Sequence, residues 1–312
     1  MKYVFGPVNS RRLGVSLGID IIPLKVCSFN CIYCECGSTT DLTEEVKEYL
    51  PYDEIISEIG QALSKDPVID VVTFSGSGEP TLNSRLGDII SYIKTNFPQY
   101  KVAVLTNSSL LHREDVRRGL LGADIIYPSL DAVSEEVFNK IMRPLPGVKS
   151  DTIIDSIALL RNEFKGKLCL EIFIIAGLND TEDELFRLKE ACIKIRPDEI
   201  HLNSLDRPGA EEWIKPSESG NMERIRKFFD PLPVKLVTKV PGGHRPADYY
   251  EEIENSILDV IEKKGSTPED VAARLNMRLF DVLRALKNLQ KKGSVNKIIK
   301  GDSAVYVIIP SE

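Results

Sequence analysis

The 312-residue chain has no apolar run approaching the ~20 residues that a membrane-spanning helix needs, and no apolar signal segment. A membrane role is excluded on that reading, and a cytoplasmic location is expected. Cysteine is scarce, with six in 312 residues, and four of the six crowd between Cys27 and Cys36. That crowding fits a reducing interior rather than a secreted disulfide framework. A second cysteine cluster is missing, because only Cys169 and Cys192 lie outside the first loop, each in an apolar run where a small buried hydrophobe is expected. Positive charge is not in excess either. Forty Lys and Arg stand against 47 Asp and Glu, a formal −7, which argues against a surface generally coated for nucleic acid.

What is present begins with VCSFNCIYCECG, Val26 to Gly37, which places Cys27, Cys31 and Cys34 in the spacing C-x3-C-x2-C with Tyr33 just before the third. Three thiolates so close bind a metal or a cluster. An iron–sulfur cube with four irons normally takes four cysteines, so a loop supplying three leaves one iron for a ligand that is not protein. Structural zinc on Cys27, Cys31, Cys34 and Cys36 is the competing reading, although zinc sites usually pair two short arms separated in sequence. Cys36 is not assigned as a ligand.

With 42% apolar content the chain can bury a large core, and its length suits one large domain plus a smaller one. After an amino-terminal loop punctuated by Gly and Pro, apolar strand patterns recur at 15–22, 68–74, 102–105, 125–130, 168–176 and 199–205. Helical patterns alternate with them at 51–64, 114–121, 152–164 and 182–195, the first with Ile55, Ile56, Ile59 and Leu63 on one face. Parallel neighbours need such crossovers, so the alternation predicts a barrel-like α/β domain. Ligands of barrel folds collect at the carboxyl ends of the strands, and every strand here ends in a polar, Gly- or Pro-containing turn. Arg11 and Arg12 precede the first of these strands, either to bind an anion through guanidinium geometry or to pair with local acids. His201 and His244 could donate protons to a substrate, but a lone histidine is more often a satisfied polar residue and both are left out of the catalytic set. Arg143 reads as a cation complementing a helix dipole, with an anionic ligand as the alternative.

The cysteine spacing resembles the signature of the radical S-adenosylmethionine enzymes. The resemblance implies a [4Fe-4S] cluster on Cys27, Cys31 and Cys34, whose free iron is chelated by the amino and carboxylate groups of S-adenosylmethionine (SAM). It further implies a reductant such as flavodoxin or ferredoxin, and cleavage of the sulfonium to a 5'-deoxyadenosyl radical that takes hydrogen from a substrate. Ser75 to Leu82, FSGSGEPTL with its leading Phe74, resembles the family's Gly-Gly-Glu element, with Gly78 and Glu79 near the cofactor's amino group and Ser77 separating the glycines. Thr106 and Asn107 resemble the residues closing the third strand. Ser129 and Asp131 resemble the polar pair that faces the ribose and carboxylate. Tyr33 is carried over as an adenine contact, as is the run FIIAGLND from Phe173 to Asp180. Read without the family, Glu79 is a residue near a helix start and Asp131 a turn residue. The chain looks most like the broad group of molybdenum-cofactor synthases and wyosine-type transfer-RNA synthases.

From Ile253 onward the balance changes to 10 Lys and Arg against 8 Asp and Glu. A helix is expected over 253–264, a second from a Thr267 cap and Pro268 to Leu275, and a third over 278–292. Two strands about a Gly-Asp turn follow. Three helices and a hairpin resemble a winged helix-turn-helix domain, whose third helix would expose Arg278, Arg284, Lys287, Lys291 and Lys292 to DNA, RNA or protein. The expected architecture is thus a partial (β/α)6 barrel of the TIM type over 1–248 and a small winged-helix domain over 249–312. The expected function is radical SAM chemistry on an RNA, peptide or protein substrate. An iron–sulfur or zinc redox-sensing DNA-binding regulator is the alternative.

Overall fold

The computed structural model describes residues 1–206, 209–237, 247–261, 265–300 and 303–309. The expected turn from Pro241 to Pro246, with His244, and the Gly-Asp turn at Gly301 lie outside the described residues. In chain order the elements are β1 (Val4–Ser10), β2 (Gly14–Ile19), β3 (Val26–Cys27), β4 (Asp41–Leu42), α1 (Tyr52–Leu63), β5 (Val71–Phe74) and α2 (Leu86–Asn96). Then come β6 (Val102–Thr106), α3 (Glu114–Leu120), β7 (Ile125–Pro128), α4 (Glu135–Met142), α5 (Ser150–Glu163), β8 (Lys167–Ile174), α6 (Glu182–Ile195) and β9 (Glu199–Ser204). The series closes with α7 (Ser219–Phe228), β10 (Val234–Leu236), α8 (Ala247–Val260), α9 (Pro268–Leu275), α10 (Leu279–Lys291), β11 (Val295–Lys300) and β12 (Ser303–Ile308).

One open sheet runs β1-β2-β5-β6-β7-β8-β9-β10, parallel from β2 onward and antiparallel only where β1 pairs β2. The α/β architecture is the one expected, and this mostly parallel sheet is consistent with a partial barrel. The expected amino-terminal loop is instead strand β1. Gly6 and Pro7 do not prevent it, because the register shifts between Phe5 and Val8 and an edge strand tolerates a residue without an N–H. Helix boundaries follow local chemistry. Thr181 accepts from the Glu184 N–H to start α6, and Thr267 with Asp270 forms a reciprocal capping box ahead of Pro268 at α9.

The inner strands β5 to β9 are buried on both faces, the edge strands β1 and β10 only in part, and the sheet forms one core with the helices, from Tyr3 to Phe229. A second core joins α8, α9, α10 and the β11–β12 hairpin through Ile257, Val271, Val282, Leu286 and Leu289. Val282, Leu286 and Leu289 of α10 are buried in that core, while Leu279 is only partly so. Arg278 is not on the exposed side of α10, however. It is 6% exposed and lies against β1 and the end of β2, because buried Asp281 and Asp20 neutralise it there. Among the described residues, no helix is long and apolar enough to cross a membrane.

Candidate cluster and cofactor site

The cysteine loop leaves β3 and is fastened on two sides. Lys25, in left-handed backbone at φ 63°, donates its N–H to the Ser77 carbonyl at 2.8 Å and accepts from the Thr40 and Asp41 N–H groups. On the other side the Asn30 and Ile32 N–H groups bond to carbonyls of residues 141–143, at the end of α4. Cys27, Cys31, Cys34 and Cys36 are free thiols, each partly buried. Two sulfurs have N–H donors: the Lys25 ammonium reaches Cys34 Sγ at 3.2 Å, and the Asn107 amide lies 3.5 Å from Cys27 Sγ.

Burial, helped by the nearby Glu79 charge, pushes the Cys27 thiol up to about 12, and burial also raises Cys31 well above its ordinary value. Cys34 goes the other way. The Cys36 thiol and the Lys25 ammonium hold it down to about 6 against the opposing effect of burial. Lys25 itself is buried, which disfavours its charge, but Cys34, Cys36 and Cys27 together raise its pKa. An ammonium inside a ring of thiols offsets the negative charge they carry as thiolates.

Among the described residues only Cys169, Glu199 and His201 bring three metal-ligand atoms within 4.8 Å of one another. The sulfurs of Cys27, Cys31 and Cys34 do not all lie that close together. A four-iron cube normally takes four cysteines, so three on one loop suit a cube with one iron left for a ligand that is not protein. The Cys169, Glu199 and His201 group does not suit a cation. Both Glu199 oxygens already accept, one from Lys167 and Lys235 and the other from His201 at 2.9 Å.

The residues after the strands converge on this loop. Glu79 is 2% exposed, and its Oε1 accepts from the Thr81 N–H, the Thr81 hydroxyl and the Thr106 hydroxyl while Oε2 accepts from the Asn107 N–H. Burial raises its pKa, and those four bonds oppose the rise. Thr106 and Asn107 are thus tied to Glu79, and Asn107 also reaches toward Cys27. Gly78 is required by protein, not by empty space: a Cβ there would stand 2.0 Å from the Val26 carbonyl oxygen. At Gly76, φ 150°, a Cβ would strike the Asp20 carboxyl at 2.4 Å.

Tyr33 stacks on Phe173, with centroids 4.2 Å apart and planes at 9°, and its hydroxyl donates to Asp131 Oδ2. Asp131 Oδ1 accepts from the Phe173 N–H at 2.7 Å. Burial pushes Asp131 up to about 6, although both bonds favour its charged form. Ser129 takes its place through backbone, its N–H donating to the Thr106 carbonyl at 2.9 Å. Arg12 turns inward and pairs with buried Glu171, while Arg143 pairs with Glu211 at 2.5 Å. The contributions of Asp20 and Lys25 went unseen in the sequence, and the only available signal was their position beside the cysteine motif.

The chain has known relatives. A family model described as the radical SAM superfamily matches residues 21–188. A UPF0026 protein of Methanocaldococcus jannaschii is 32% identical over 297 residues, 92% of this chain and 91% of that protein. A protein of Brachyspira hyodysenteriae named GTPase Obg is 35% identical over 98% of this chain, which spans only 45% of that relative's length. Among solved structures, Streptococcus suis SuiB bound to S-adenosylmethionine has a similar fold, with a TM-score of 0.53 at 16% identity over 72% of this chain and 50% of that one.

Proposed function

Because this chain belongs to the radical SAM superfamily, and within it to the UPF0026 family, we propose that it holds a [4Fe-4S] cluster on Cys27, Cys31 and Cys34 and binds SAM beside it. When bound, such a cluster supplies one electron that cleaves the sulfonium, giving methionine and a 5'-deoxyadenosyl radical. The chain's own residues would do the rest. Asn107 and Lys25 direct N–H groups at the thiolates, and the stacked Tyr33 and Phe173 rings offer an aromatic face suited to adenine. Asp131, Ser129 and Glu79 supply acceptors for a ligand that carries a sulfonium and an ammonium.

The observation that carries this reading is the C-x3-C-x2-C loop inside the matched residues 21–188, with the Lys25 and Asn107 N–H groups at two of its sulfurs. A substrate of RNA, peptide or protein, delivered with the help of a winged-helix module built from α8–α10 and β11–β12, is the finer proposal. The rival reading of a redox-sensing DNA regulator loses Arg278 from its contact surface. Anaerobic reconstitution followed by dithionite and SAM should yield 5'-deoxyadenosine. Alanine at Cys27, Cys31 or Cys34 should abolish both cluster and product, while Cys36→Ala keeps both. A reconstituted cluster that never gives 5'-deoxyadenosine would sink the proposal.

A further inference from the structure

The α8–α10 module reaches the cysteine loop through a continuous set of buried polar contacts. Arg278 precedes α10 and is 6% exposed. Its Nε and Nη2 donate to the two oxygens of Asp281 at 2.8 Å, which fixes the guanidinium plane. The remaining Nη1 donates at 3.1 Å to Asp20 Oδ2, in the chain just after β2. The plane also lies over the Phe5 ring, with Cζ 3.5 Å from the centroid. Phe5 can lie there only because residue 18 is glycine, where a Cβ would come within 2.0 Å of the ring.

Asp20 passes the contact on. The same Oδ2 accepts from the Ser77 N–H at 3.0 Å and from the Ser77 hydroxyl at 2.5 Å, and the carboxyl fills the space that a side chain at Gly76 would need. The far side of this two-residue turn faces the cluster loop. The Ser77 carbonyl accepts the Lys25 N–H at 2.8 Å, and the Gly76 carbonyl lies 3.3 Å from Cys36 Sγ. Lys25 then bonds to Cys34.

We propose that Arg278 is a positioning residue for the cofactor site: it holds the Asp20 carboxyl in place, and Asp20 in turn fixes the Gly76–Ser77 turn against the cysteine loop. The module is on this account part of the wall behind the cluster and not a tethered appendage. Each contact is specific in geometry. A guanidinium offers donors in a fixed fork, and here two go to Asp281 while a third goes to Asp20, a division that the single point charge of lysine does not reproduce. The consequence for function is that a partner which pulls on α10 acts on the turn that carries Gly78 and Glu79. This inference rests on the radical SAM reading for its ligand, but the contacts stand without it.

The test compares Arg278→Met and Arg278→Lys with Lys292→Met in the full chain. Lys292→Met breaks the Lys292 to Glu254 pair inside the module and touches neither Arg278 nor Asp20. Two measurements are made: hydrogen exchange of segments 20–26 and 75–79 in the metal-free protein, and the dissociation constant for SAM of reconstituted protein, with the EPR change on SAM addition. Arg278→Met should speed exchange in both segments and weaken SAM binding by about tenfold or more, the usual scale for loss of a supporting contact. Arg278→Lys should recover part of each loss, and Lys292→Met should leave both close to wild type. If all three variants lower thermal stability alike while exchange and SAM affinity stay at wild-type values, Arg278 only holds the module together and the proposal fails. Should Arg278→Met not fold, Arg278→Lys against Lys292→Met decides the same question. A wild-type protein that binds no SAM overturns the functional reading, and the exchange arm still judges the role of Arg278.

Discussion

Apart from Asp20, which meets Arg278 just after β2, the carboxylates that line the two ends of the parallel strands differ in their partners. At the amino ends of β8 and β9, Glu199 accepts from Lys167, Lys235 and His201, and further along β8 Glu171 pairs with Arg12. Burial pushes Glu199 up, but the bonds from Lys167, Lys235 and His201 outweigh it and bring it down to about 2. At the carboxyl ends, Asp131 and Glu79 are bonded by hydroxyls and backbone N–H groups, and burial leaves both raised, Asp131 to about 6. The first end has its own cations and reads as structure. The second holds carboxylates that a cationic ligand would stabilise, since an opposite charge close by favours the ionised form.

Breaking the Arg12 to Glu171 pair tests the structural end most severely. Arg12→Met should destabilise the protein by about 3–5 kcal/mol in urea unfolding, because Glu171 is left buried without its cation, while an Arg12→Met, Glu171→Met double variant should recover most of that. Equal losses in single and double variants would show that the pair is not the source of the effect.

The two carboxylates should also give opposite slopes of stability against pH in metal-free protein. Glu199 has a folded pKa below its unfolded value, so its contribution is present above about pH 4.5 and is lost as pH falls toward 2. Glu199→Gln should remove roughly 2 kcal/mol at neutral pH, allowing for its partial contact with solvent, and flatten that acid limb. Asp131 has a folded pKa above its unfolded value, so its contribution is present below about pH 4 and is lost as pH rises through about 6. Asp131→Asn should abolish that decline, an effect of order 1 kcal/mol, and weaken SAM binding. Slopes of the same sign in both variants would break the contrast.

Lys25 sharpens the comparison from the cluster's side. A cation bonded to a thiolate stabilises the more negative, reduced cluster. Lys25→Met should therefore shift the midpoint to more negative potential by roughly 30–60 mV, about 1 kcal/mol, in an EPR-monitored titration.

Much of this was legible from local pattern. The strands of the parallel series, the α6 span and the Thr267 cap follow from periodicity and from side chains that bond within four residues. β1 was not legible, because Gly6 and Pro7 read as punctuation and only the register shift against β2 reconciles them with a strand. The family resemblance places Gly78 and Glu79 near the cofactor's amino group. The glycine is needed for the approach of Val26, and the glutamate is bonded to Thr81, Thr106 and Asn107, neither of which a linear motif reveals.

The sequence by itself determined the three-cysteine spacing, the strand-end elements in their order and the helical stripes, because each depends on neighbours a few residues away. Tertiary structure alone decided that Arg278 is buried against Asp20, 258 positions distant, and that Arg12 meets Glu171 across 159. It also decided which carboxylates have cations and which do not. The charge state of a buried group depends on what the fold brings within a few ångströms and on how much water it excludes, and neither is a property of the residue's place in the chain.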